Sequence, residues 1–322
     1  MSSETPPARR PHPAVLTTAL ALPLLAIAAC GTGPGASDGT TQPSSPPRDS
    51  ATSGGTSGTP APPASTPPAT TAPPAPTGGS DGSAAPKVRT AVYFLHGEKI
   101  SAAPRTVTAP ATATAAVRAL LAGPSRAESR HARTTAVPAG TELRSVVIRD
   151  RVATVDLSGR YDDGGGSLSM RARLAQVVFT VTRFPTVDKV AFEIEGEPVK
   201  HFGGEGVVLN APVGRADFED LSPAVLVESP MTGDTVRTPL RVWGSADTFE
   251  AEFRLKVTDV TGRTAADVQV RATSGTGTRG TFDVTFPYKA ARGGAGLLTA
   301  YFISPEDGRP VTVDTVPLTV NR

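Results

Sequence analysis

Hydrophobic positions change their spacing several times along this chain, and each change marks a segment. From Ala14 to Ala29 the residues are apolar with breaks only at Thr17, Thr18 and Pro23. From Gly31 to Pro86 no large hydrophobe recurs at any period, and Pro, Thr, Gly, Ser and Ala dominate. From Val88 to about Leu221 strand and helix spacings alternate. Thr90 to Leu95 is a short β-rich run. Ala113, Ala116, Val117, Leu120 and Leu121 then fall at helical spacing between Thr112 and Ala122, and Gly123-Pro124 stops them. Leu143 to Ile148 and Val152 to Leu157 alternate around Arg149-Asp150-Arg151, which predicts a hairpin. Ser167 is placed to cap a helix whose face carries Met170, Leu174, Val177, Val178, Val181 and Phe184. The β-branched run there also permits a strand; its length and spacing favour the helix. Val187 to Ile194 returns to strand and turns at Glu195-Gly196. These elements predict an α+β domain with one curved sheet and one layer of helices.

From Ser222 helical spacing disappears. Seven short alternating runs follow: Ala224 to Glu228, Leu240 to Gly244, Glu250 to Asp259, Asp267 to Thr273, Gly280 to Phe286, Gly296 to Ile303 and Val311 to Val320. Seven strands over about a hundred residues, with turn signals between them, predict a β-sandwich. Trp243, Phe249, Phe253, Phe282, Phe286, Tyr301 and Phe302 are its candidate core aromatics.

Composition narrows the function. The 322 residues include Gly 32, Pro 32 and Cys 1, at a net charge of +2. One cysteine excludes an intramolecular disulfide and multi-cysteine metal or iron–sulfur sites. The small charge gives no electrostatic reason to expect nucleic acid as a partner. Histidines occur at His12, His96, His131 and His201 only, which leaves little material for metal or general-base chemistry.

The N-terminus reads as an address. Arg9 and Arg10 precede an apolar stretch too short to cross a hydrocarbon core of ~30 Å, as in a signal peptide. The stretch runs into Ile27-Ala28-Ala29-Cys30, which resembles a bacterial lipobox. That resemblance implies cleavage between Ala29 and Cys30, lipidation of Cys30 with diacylglycerol, and attachment to the outer face of the cytoplasmic membrane by two acyl chains. The alternative is a free cysteine at the end of an ordinary signal peptide. Residues 30–86 then form a disordered tether, averaging roughly 40 Å end to end if fully flexible.

Candidate chemistry is sparse. Gly275, Gly277 and Gly280 spell a dinucleotide loop but lie between two β-runs, where a hairpin connection is expected. Asp162 and Asp163 open a glycine-rich loop that lacks the spacing of a calcium site and fits a solvated loop. Glu193, Glu195 and Glu197 would share one face of a strand and are the carboxylates a hydrolase would use, but Gly196 places a turn among them. Asp217, Glu219 and Asp220 fit an acidic linker between domains. Arg133, Arg144, Arg149, Arg151 and Arg160 fit the solvated edges of the hairpin, with an anionic lipid or wall polymer as the functional alternative. No catalytic residue, cofactor or metal site is therefore expected.

Several of these segments resemble known modules. Val92-Tyr-Phe-Leu95, Leu120-Leu-Ala-Gly-Pro124, Val137-Pro-Ala-Gly-Thr141, Val152-Ala-Thr-Val-Asp-Leu-Ser158, the run from Thr180 to Val190, and Arg215-Ala-Asp-Phe218 resemble the GerM domain of sporulation and spore-germination lipoproteins. Ser229-Pro230, the run from Pro239 to Ala246, Phe249-Glu-Ala251 and the run from Ser304 to Gly308 resemble the immunoglobulin-like domain of bacterial spore germination. The implied organisation is a signal peptide over residues 1–29, a linker over 30–86, a GerM-type domain over 87–221 and a sandwich over 222–322. GerM-type domains are similar to the ring-building modules of secretion and sporulation channels. The resemblance implies a non-enzymatic envelope role as an adaptor or scaffold, with an envelope protein or a second copy as partner. A peptidoglycan-binding module is the alternative. Arginine far outnumbers lysine, which suits a high-GC actinobacterium.

Overall fold

In the computed structural model, which describes residues 85–203 and 206–322, Gly97 turns at φ +62° and folds Lys87–His96 (β1) back on Lys99–Thr108 (β2). The signal peptide, Ala29, Cys30 and the tether up to residue 84 lie outside the described residues. β2 was not expected from the sequence, because its centre is Ala-Ala-Pro. Pro104 is tolerated since β2 is the outer strand of its sheet and needs ladder bonds on one side only.

After β2 the chain enters Thr112–Leu121 (α1), which buries Ala113, Ala116, Val117 and Leu120 and ends before Gly123 at φ +79°. Ser125 caps Arg126–Arg130 (α2) in a reciprocal arrangement with Glu128. Arg133–Thr134 (β3) completes a sheet in the order β2-β1-β3. Leu143–Arg149 (β4) and Val152–Leu157 (β5) form the expected hairpin, with Asp150 and Arg151 both left-handed at the turn. The chain then crosses through Ser167–Val181 (α3) to Lys189–Ile194 (β6), parallel to β5, and turns at Glu195-Gly196 into Glu197–Pro198 (β7).

The single curved sheet expected for this domain is instead two sheets, β2-β1-β3 and β4-β5-β6-β7, with a further short pair of His201–Phe202 (β8) and Val207–Val208 (β9). The reason lies in α3, which is buried from Ala172 to Val181 without a break, so it is an interior element and not an amphipathic cover. Gln176 Nε2 donates to the Tyr93 carbonyl at 3.0 Å, and the Tyr93 N–H donates to Thr180 Oγ1 at 3.1 Å, fixing α3 on β1. The α3 N-cap is Gly166, not Ser167, and no side chain caps it; Phe184 lies beyond the helix end.

The second domain is the expected sandwich. Val225–Ser229 (β10), Leu240–Ala246 (β12) and Gly280–Phe286 (β15) form one sheet in that order. Thr235–Val236 (β11), Glu252–Thr258 (β13), Thr264–Arg271 (β14), Gly294–Ile303 (β16) and Pro310–Val320 (β17) form the other, in the order β11-β17-β16-β13-β14. Phe253 and Phe282 meet edge-on between the sheets with centroids 4.8 Å apart. β10 and β12 approach so closely that a Cβ on Gly244 would lie 2.0 Å from the Leu226 carbonyl oxygen.

The expected core aromatics divide. Phe253, Phe282, Phe286 and Tyr301 are buried, whereas Trp243 and Phe302 are half-buried and Phe249 is 58% exposed. Trp243 alternates onto the outer face of its sheet. Phe249 sits in a short turn before β13 with Glu250 and Ala251 at positive φ, not within a strand.

Candidate functional site

The richest concentration of charged and aromatic side chains lies where the two domains meet. The segment Arg215–Leu221 closes the first domain as a 3-10 turn, held by the Asp217 side chain accepting from the Gly214 N–H at 2.7 Å. It aims Arg215 back across α3 and β1. Arg215 Nε donates to Thr182 Oγ1 at 2.9 Å, and Nη2 donates to the Tyr93 hydroxyl and the Phe179 carbonyl, both at 3.2 Å. Its guanidinium covers the Phe179 ring at 4.8 Å and the Tyr93 ring at 5.2 Å. Nη1 then reaches the second domain and pairs with Glu228 at the end of β10.

Burial works against the charge on Arg215, but Tyr93 and Glu228 outweigh it and hold the guanidinium above its ordinary range. Burial pushes the Tyr93 hydroxyl up, and Glu228 adds to the effect. Arg183, just past α3, lies with its Nε 3.9 Å from the other oxygen of Glu228 and stacks its guanidinium over Trp243 at 4.6 Å. That Nε is solvent-inaccessible and has no hydrogen-bond partner among the described residues.

The rest of the junction is equally specific. Leu226 and Met231 of the sandwich segment pack into the hydrophobic core of the first domain. Arg279 Nη2 donates to the Pro223 carbonyl at 2.8 Å while its Nε reaches Glu219 Oε1 at 2.8 Å. Arg133 is 2% exposed and donates to the Thr315 carbonyl at 2.8 Å. Two adjoining clefts of about 740 and 370 Å³ open beside Arg215 and Glu228, the larger floored by the outer face of β12 and β15.

Several of the side chains singled out from the sequence are held in structural bonds. Glu195 accepts from Arg144 Nη1 at 2.5 Å and from the Gly159 N–H at 2.9 Å, and Asp156 accepts from the Gly196 N–H at 3.0 Å. Both carboxylates thus fasten the β6–β7 turn. Glu193 and Glu197 sit on either side of that turn, on β6 and β7. Asp162 accepts from the Gly203 N–H at 2.6 Å, and Arg173 clasps the loop through the carbonyls of Tyr161, Asp163 and Gly164, so this loop is tied down and not merely solvated. Among the described residues no cluster of three His, Cys, Asp or Glu side chains has metal-binding geometry.

Gly275 to Gly280 joins β14 to β15 in the opposite sheet, so it is a crossover and not the expected hairpin. A Cβ at Gly275 would lie 2.4 Å from the Thr248 carbonyl oxygen; the glycine serves close packing against the turn before β13. His96 ends β1 and His201 begins β8, both at strand ends; His131 follows α2.

Two further readings are corrected. Arg133 is not a solvated edge residue, because β3 carries it into the junction. Asp217, Glu219 and Asp220 are not a loose linker: Asp217 caps the 3-10 turn, Glu219 pairs with Arg279, and Asp220 pairs with Arg171 at 2.5 Å. The Arg183–Glu228–Arg215–Trp243 cluster was missed by sequence reasoning, since its members come from four separate segments with no shared spacing.

Comparison with known proteins follows the same division. Residues 91–200 match the family model described as Germane, sporulation and spore germination. Residues 224–309 match that described as Gmad2, immunoglobulin-like domain of bacterial spore germination. Among solved structures, the first GerMN domain of the sporulation protein GerM from Bacillus subtilis is similar at 21% identity, covering 40% of this chain and 99% of that one, with a TM-score of 0.33. The tandem GerMN domains of the same protein are similar at 14% identity, covering 63% of this chain and 62% of that one, with a TM-score of 0.35. A Clostridium perfringens protein assigned as a lipoprotein is similar at 20% identity, covering 42% of this chain and 93% of that one, with a TM-score of 0.31. No curated protein matches the chain.

Proposed function

From the premise that this chain carries a Germane domain of the sporulation and germination type followed by a Gmad2 immunoglobulin-like domain, we propose that it is a lipid-anchored, extracytoplasmic adaptor of the cell envelope with no catalytic activity. The observation that carries this reading is the junction. Leu226, Met231 and the Arg215–Glu228 pair join two domain types into one body, which suits a scaffold that holds partners at a set separation. The lipobox at Cys30 supports anchoring, and the Pro-rich tether supports display at a distance from the membrane. No helix among the described residues is long and apolar enough to cross a membrane. The partner is an envelope protein or a second copy of this chain.

Crosslinking of the tagged protein in cells, followed by mass spectrometry of the membrane fraction, tests the adaptor reading. Enrichment of one membrane protein, or of crosslinked copies of the chain, is expected; recovery without any protein partner overturns it. Cys30→Ala should release the protein into the medium, and retention at the membrane would refute the anchor.

A further inference from the structure

We propose that the two adjoining clefts at the domain junction, the larger floored by Trp243 and the smaller lined by Arg183, together bind an acidic saccharide. Three observations meet there. The first is charge. Arg183 and Arg215 face one carboxylate, Glu228, whereas the neighbouring charges are matched one to one: Arg241 with Asp283, Arg271 with Glu252, and Asp188 with Arg151. The place where the two clefts adjoin, at Arg215 and Glu228, therefore carries one uncompensated positive charge, with Arg183 on the side of the smaller cleft. A lone excess charge suits a sparsely charged ligand and not a polyanion, whose binding grows with the number of charges neutralised.

The second is Arg183 itself. Its Nε is shut away from water and bonds to nothing among the described residues, although a charged donor so placed ordinarily finds an acceptor. That nitrogen is out of reach of any ligand, but the Arg183 side chain as a whole is 30% exposed and lines the smaller cleft, where Glu228 at 3.9 Å leaves it without a two-pronged carboxylate or phosphate partner.

The third is the cleft floor. Trp243 is the only tryptophan of the chain and is half-exposed on the outer face of β12, where it forms part of the cleft lining. Ser245 stands two residues along the same face, and Thr281 and Asp283 stand opposite on β15. An indole edge beside a row of hydroxyls and carboxylate oxygens matches the alternating apolar and hydroxylated surfaces of a pyranose. The volume, about 740 Å³, admits more than one sugar ring.

This site does not depend on the adaptor reading, and its test is independent of it. Because Trp243 is the sole tryptophan, its emission reports on the cleft directly. The full-length protein in detergent is titrated with an N-acetylglucosamine oligomer bearing one terminal glucuronic acid, the same oligomer bearing one glycerol phosphate, and the neutral oligomer of equal length. A saturable emission change with one or both acidic probes, and at least ~10-fold weaker binding of the neutral one, is expected. The stronger acidic probe identifies carboxylate or phosphate as the source of the charge. Arg183→Met removes the guanidinium from over Trp243 but keeps a side chain of similar reach, so it should leave the far-UV circular dichroism unchanged while weakening acidic binding ~10-fold or more. Should Arg183→Met misfold, Trp243→Thr, which retains a strand-favouring residue, is read by calorimetry with the same expectation. The proposal is overturned by no saturable change with either acidic probe, by equal affinity for the neutral oligomer, or by wild-type affinity in a folded Arg183→Met or Trp243→Thr protein.

Discussion

Arg215 and Glu228 face each other across the junction of the two domains, and Glu228 is the more deeply placed, at 7% side-chain exposure against 30%. Removing either partner leaves the other charge poorly compensated in a place where water reaches only one side. Glu228→Ala is the more costly change, since among the described residues Glu228 is the one carboxylate paired with both Arg215 and Arg183.

Glu228→Ala is therefore expected to destabilise the protein by about 2–4 kcal/mol, below the figure for a fully buried pair because Arg215 is partly screened. Urea denaturation followed by circular dichroism measures it. Arg215→Ala should cost less, because Arg183 still faces Glu228, and the double variant clearly less than the sum of the two, because the second substitution removes a charge already orphaned by the first. Additive losses would show that the pair is not coupled.

Leu226 belongs to β10 of the sandwich yet packs into the core of the first domain. Leu226→Ala should lose about 2–5 kcal/mol, as for other buried leucines. The distinctive readout is its location: hydrogen exchange should accelerate in β1, β2 and α3, and not in the sandwich alone. Acceleration confined to β13 to β17 would mean that the two cores are energetically separate.

Legibility in the sequence followed the range of each signal. The hairpin around Asp150-Arg151, the helix ending at Gly123 and the strand Gly280–Phe286 rest on local periodicity and turn chemistry, which the chain states within ten residues. What escaped depended on distant partners. β2 carries Pro104 and two alanines and becomes a strand only because β1 offers it a partner across Gly97. α3 looked amphipathic along part of its length, yet Gln176 and Thr180 are buried by bonding to Tyr93, so its polar positions also face protein. Trp243 was assigned to the core on hydrophobicity alone; its register opposite Asp283 places it outside. The junction cluster was invisible for the same reason, since Arg183, Arg215, Glu228 and Trp243 belong to separate elements.

Gly244 tests how tightly the sheet beside the junction is built. It has an ordinary strand conformation, so its role is space and not backbone freedom: a methyl group would lie 2.0 Å from the Leu226 carbonyl oxygen and 3.0 Å from the Phe282 ring. Gly244→Ala must push β10 away from β12, and a loss of about 3 kcal/mol is expected. Trp243, one residue away, should report the shift as a change in emission. A thermal midpoint equal to that of the wild type would show that β10 moves freely.

Glu128 makes acid stability predictable in sign. It is buried at α2, where its carboxylate accepts from Arg105 Nη1 at 2.6 Å and from the Ser125 N–H at 2.6 Å. Burial alone would raise its pKa, but the bonds from Arg105 and Ser125 outweigh burial and hold it below the ordinary value of 4.5. The folded protein therefore binds this proton more weakly than the unfolded chain does. Stability from Glu128 is fully present above pH 4.5 and is lost as pH falls through the lowered folded value. Glu128→Gln resembles the protonated side chain in shape and lacks its charge. The stability gap between wild type and Glu128→Gln should accordingly be constant from about pH 7 to 5 and close progressively below that. Urea titrations at a series of pH values would give the gap directly. A gap that stays constant into strong acid would show that Arg105 holds Glu128 by shape and not by charge.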